Sequence, residues 1–125
     1  MKKLILMMAG MAMLFGMDPK TYYELSIKSL ELTLLESKEQ LNCAEKLCSV
    51  KERYLINQKY TAKTAELYKR YNTTPVKISS YYTRNKKKLE EYLKTHPEIK
   101  EKIQRLEEEI GVINDAINSY NGGGE

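Results

Sequence analysis

The stretch LNCAEKLCSVKE, Leu41 to Glu52, holds both cysteines of the chain, Cys43 and Cys48, with four residues between them. That spacing fits neither a redox C-x-x-C nor a haem-attachment C-x-x-C-H. On a continuous helix each residue turns about 100°, so side chains five apart lie about 140° around the axis and cannot reach disulfide geometry. A bridge therefore requires the helix to break between the two cysteines. The sequence supplies an independent sign of that break, because Ser49 to Glu52 reads S-x-x-E, a capping box that starts a new helix just after Cys48. The pair is thus expected to staple a helix-to-helix turn. For so short a loop the chain-entropy model gives roughly 2 kcal/mol.

Whether a bridge forms depends on compartment, and the N-terminus speaks to that. Lys2 and Lys3 precede an uncharged run from Leu4 to Met17, the n-region and h-region of a secretory signal peptide. The run is short for a membrane span, which needs about 20 apolar residues. Export with cleavage after Ala12 or Gly16 is expected, placing the mature protein in the periplasm or outside the cell. An uncleaved anchor in the inner membrane, carrying a periplasmic coiled-coil component, is the alternative. The division read from this is residues 1–16 as signal peptide, 17–121 as helical domain and 122–125 as a flexible tail.

Working outward from the cysteines, Asp18-Pro19 is a strong helix start, with Asp as N-cap and Pro at the first helical position. Tyr23, Ile27, Leu30, Leu34 and Leu41 then recur on one face. A second helix is expected from Val50 to Tyr71, with Tyr54, Ile56, Tyr60, Leu67 and Tyr68 among its apolar positions. The NTTP of Asn72 to Pro75 stops it, and Thr74-Pro75 caps a third helix reaching about Lys94. A capping box from Thr95 to Glu98 opens a fourth. That helix carries Ile99, Ile103, Leu106, Ile110, Ile113, Ile117 and Tyr120 at alternating steps of four and three, a seam of coiled-coil type. The expected fold is all-α, a small bundle of about four helices in two antiparallel hairpins, the first two joined by a disulfide-closed turn. The seam serves either as core or as a homodimer interface.

The 125 residues carry a net charge of +4, with 42% hydrophobic and 30% charged residues, an ordinary balance for one small folded domain. Charge is unevenly spread. Val50 to Tyr71 has six basic and two acidic residues, as does Asn72 to Lys94, whereas Thr95 to Glu125 has three basic and seven acidic. The basic middle helices thus lie between acidic outer ones, an arrangement that favours their packing together.

Between Glu66 and Glu90 no acidic residue occurs, and Tyr81, Tyr82, Arg84, Lys86, Lys87 and Lys88 gather there. Cations interleaved with aromatic rings attract polyanions by charge and hold them by stacking. These six are the candidate contact residues for a protein partner, an anionic envelope polymer or lipid headgroups. Nucleic acid fits an exported protein poorly. Catalysis is not expected: His96 is the only histidine, its setting between Thr95 and Pro97 suggests a turn, and no phosphate loop, dinucleotide fingerprint or H-E-x-x-H is present. Glu107, Glu108 and Glu109 point around their helix rather than into one cleft. No cofactor or metal is implied, and a thiol-disulfide redox role for Cys43 and Cys48 is the third and weakest reading. The expected function is that of a small exported accessory protein of an envelope assembly, acting by binding.

Overall fold

A computed structural model describes residues 17–122, so the expected signal peptide and residues 123–125 lie outside it. Among the described residues there are five helices and no strands: α1 (Pro19–Glu45), α2 (Val50–Arg70), α3 (Pro75–Arg84), α4 (Lys86–Thr95) and α5 (Pro97–Gly122). No helix among them is long and apolar enough to cross a membrane. The helix starts fall where the caps place them. Asp18 Oδ1 accepts from the Thr21 amide at 2.7 Å, Ser49 Oγ from the Glu52 amide at 3.1 Å, and Thr74 Oγ1 from the Lys77 amide at 3.2 Å.

The expected four helices are five because Asn85 breaks the third. Its side-chain Nδ2 donates to the Tyr81 carbonyl at 2.9 Å, the same oxygen that its own amide reaches at 3.0 Å. An asparagine that competes in this way for the acceptor four residues back offers the backbone an alternative to helix. Asn85 accordingly leaves helical geometry, at φ −124° and ψ 25°. The last junction also differs from expectation. Thr95 ends α4 instead of capping α5, and its hydroxyl donates back to the Tyr92 carbonyl at 3.0 Å. His96 is the bent residue, as the position before a proline requires.

The long α1 is the element on which the others rest. It packs most extensively on α5 and next on α2, with a smaller contact to α4. Glu39 meets Lys59, Glu36 meets Asn57 and Lys28 lies over Tyr71, so α2 runs antiparallel to α1. Tyr23 meets Tyr92, just before α5 begins, while Ser37 meets Asn114 within it, so α5 runs in the same direction as α1. One long hairpin is therefore present, and α3 and α4 are a short bent connection to α5 where a second hairpin was expected. The isoleucine seam is used within the chain, with Ile110 and Ile117 buried and Ile99, Ile103, Leu106 and Ile113 half-buried.

Charge does not choose these neighbours. The two most extensively packed helices, α1 and α5, both carry acidic excess, while the ion pair Lys59–Glu39 joins α1 to α2 and Arg70–Glu66 lies within α2. An exposed pair of this kind contributes under about 1 kcal/mol, against about 2 kcal/mol for burying one aliphatic side chain, so apolar area decides. One polar pair crosses the main interface, the buried Ser37 hydroxyl 3.2 Å from Asn114 Oδ1. Gly111 sits within α5, and a Cβ added there would meet nothing within 4 Å. Gly111→Ala is expected to stabilise the protein by about 0.5–1 kcal/mol through helix propensity alone, raising Tm by a few degrees in a thermal melt.

The turn after α1 answers the question posed by the cysteine spacing. The Leu47 amide donates to Ala44 O at 3.1 Å and the Cys48 amide to Cys43 O at 3.0 Å, while Leu47 takes a left-handed φ of 55°. This is the Schellman pattern, in which the third residue from the helix end and the second residue beyond it are brought side by side. Those two positions, usually joined by an apolar contact, are Cys43 and Cys48, here joined covalently with Cα atoms 5.1 Å apart. The end of α2 closes identically: Asn72 at φ 51° donates to Lys69 O, and Thr73 to Tyr68 O. Asparagine tolerates that conformation, whereas leucine does so at a cost of about 1–2 kcal/mol.

Candidate functional site

The bend at Asn85 carries the residues that the sequence singled out. Arg84, Lys86, Lys87 and Lys88 are all exposed around it, and Tyr82 is 46% exposed. None of the four cations lies within ion-pairing distance of a carboxylate among the described residues. Lys86 Nζ instead stands 5.6 Å from the centre of the Tyr82 ring, a cation–π contact.

Tyr81 and Tyr82 have a second task, holding the bend onto α1. Tyr22 receives both, with ring centres 5.7 Å from Tyr81 and 6.4 Å from Tyr82. Tyr22 in turn packs edge-on to Tyr23 at 5.1 Å, Tyr23 stacks on Tyr92 at 5.6 Å, and Tyr92 stacks on His96 at 3.9 Å. Six rings thus form one connected group joining α1, α3, α4 and the α4–α5 turn. Tyr81 is the more enclosed of the adjacent pair; burial pushes its phenol upward, helped by the negative charge of Asp18. Tyr23 is pushed up to about 12, first by burial and then by the neighbouring phenols, and its hydroxyl donates to the Leu89 carbonyl at 3.1 Å. His96 Nδ1 lies 2.9 Å from the Tyr92 carbonyl, which fits a residue capping a turn.

The helix that begins at this bend is electrostatically ill-matched to its own first residues. The N-terminus of α4 has no side-chain cap and no acidic residue in its first turn, and its first three residues are Lys86, Lys87 and Lys88. The positive end of a helix dipole disfavours cations and favours anions. Leu89 follows immediately and is 1% exposed, so the lysines stand directly above a buried anchor.

Sequence reasoning missed Tyr22, Tyr92 and Leu89 as supports of this surface. Their pairing across some 60 residues of chain has no one-dimensional signature, although the adjacent pairs Tyr22-Tyr23 and Tyr81-Tyr82 were visible. Cys43 lies about 30 Å from Tyr23, being twenty residues further along α1. No protein-family model, curated protein or solved structure matches the chain.

Proposed function

We propose that this is a non-catalytic binding protein, exported to the periplasm or beyond, that docks an anionic partner on the bend between α3 and α4 as an accessory subunit of an envelope assembly. The observation that carries this reading is the set of four exposed cations, Arg84, Lys86, Lys87 and Lys88, without carboxylate partners among the described residues, at a helix start that itself attracts anions. An acidic protein segment, an anionic envelope polymer and lipid headgroups share the chemistry such a surface would recognise. Export is supported by the N-terminal run and is consistent with the Cys43–Cys48 bridge. The aromatic group holds the bend that carries the cations onto α1, which limits the backbone entropy lost on binding.

Replacing Lys86, Lys87 and Lys88 together with Glu is expected to lower partner recovery in a crosslinking pull-down roughly tenfold or more, with unchanged helical circular dichroism. Each reversal removes one attraction and adds one repulsion, and the effect of the wild-type surface should fade as added salt screens it. Undiminished recovery with the triple variant would remove this surface from the function.

A further inference from the structure

The turn that closes α1 also collects metal-ligating atoms. The two sulfurs of Cys43 and Cys48 and a carboxylate oxygen of Glu52 all lie within 4.8 Å of one another. They line an open cleft of about 610 Å³ with Glu39, Asn42, Lys46, Leu47 and Ser49. Each comes from a position fixed by hydrogen bonds that do not depend on the sulfur–sulfur bond. The Schellman closure sets Cys43 beside Cys48, and the Ser49 cap sets Glu52 in the first turn of α2. Four residues between the cysteines is a spacing that zinc sites use.

We propose that this cluster is a reduction-gated site for zinc, closed while the cysteines are bridged and opened by a dithiol. Exchange with the dithiol breaks the Cys43–Cys48 bond and forms one disulfide within the reductant. Two electrons and two protons pass to the protein as two thiols. Zinc then binds both sulfurs and the Glu52 carboxylate, releasing the two thiol protons to solvent, and water completes a tetrahedron. Two thiolates and a carboxylate bring three negative charges against the ion's two positive ones. The residual negative charge lies at the N-terminus of α2, in a cleft lined by both Lys46 and Glu39.

The test is a titration with zinc in competition with a fluorescent chelator, on protein reduced by dithiothreitol and freed of it under inert gas. One zinc per chain is expected for the reduced protein and none for the bridged protein. Outer-shell changes at metal sites cost about 10–100-fold in affinity, so Glu52→Gln, which alters a ligand itself, should weaken binding at least about tenfold. Cys48→Ser should lose tight binding altogether. Should reduction cost helical circular dichroism, zinc is expected to restore it. A reduced wild-type chain that takes no zinc, a Glu52→Gln variant with wild-type affinity, or lost helicity that zinc does not restore would each overturn the assignment.

Discussion

Leu89→Ala is expected to cost about 2–5 kcal/mol, the range for emptying a fully buried leucine site. Few side chains are as enclosed, at 1% exposure, and α4 has only ten residues, too few to be helical in isolation. The helix therefore persists because it is docked, and Leu89 is its only buried residue. The Tyr23 hydroxyl bonded to the Leu89 carbonyl and the stacking of Tyr23 on Tyr92 also tie it to α1, and both need α4 in place. Small domains hold about 5–15 kcal/mol in total, so the loss should lower Tm by roughly 10–20 °C and move the urea midpoint in proportion. Leu35→Ala, at a position 48% exposed on α1, is the matched control and should cost under about 1.5 kcal/mol. Equal effects from the two would show that α4 is not anchored as described.

The second large effect is expected at the other end of α1. Replacing Cys43 and Cys48 together with Ala should cost roughly 2 kcal/mol, by releasing the closed loop in the unfolded chain. The turn itself should survive, since two backbone hydrogen bonds and the Ser49 cap hold it without sulfur. Leu47 supplies a diagnostic. It is 86% exposed and left-handed, so it adds strain and little burial. Adding Leu47→Gly to the double variant is expected to recover about 1 kcal/mol, because glycine takes that conformation without steric cost. A urea series on the single, double and triple variants checks both steps. A double variant as stable as the wild type would show that the bridge does not stabilise the fold, and no recovery with glycine would show that the turn relaxes when the bridge is lost.

The caps were the most legible part of the fold. Asp18-Pro19, Ser49 and Thr74-Pro75 act over three residues, and a local device can be read locally. The isoleucine seam was legible for a related reason, since α5 presents one face to one partner. On α1 the stripe reading found Tyr23 and Leu34 but not Leu25, Cys43 or Ala44. That helix is covered by both α2 and α5, so burial wraps around more of it than a single stripe. The break at Asn85 was hidden because asparagine is common enough inside helices that only its bond to Tyr81 identifies it as a stop. At the bend, the cations could be read from composition. Which tyrosine is enclosed and which is presented could not, because that depends on Tyr22, about 60 residues away.

The order of the helices around α1 has a kinetic side. The hairpin of α1 and α2 closes over a turn of four residues, whereas α5 can meet α1 only after a loop of more than fifty residues has been drawn in. Loop entropy grows by about 0.6 kcal/mol per doubling, so the second event carries roughly 2 kcal/mol more of chain restriction than the first. That difference falls on the isoleucine face, which gives its long, regular pattern a use beyond filling space: it is the part of the molecule that must hold a distant segment of its own chain.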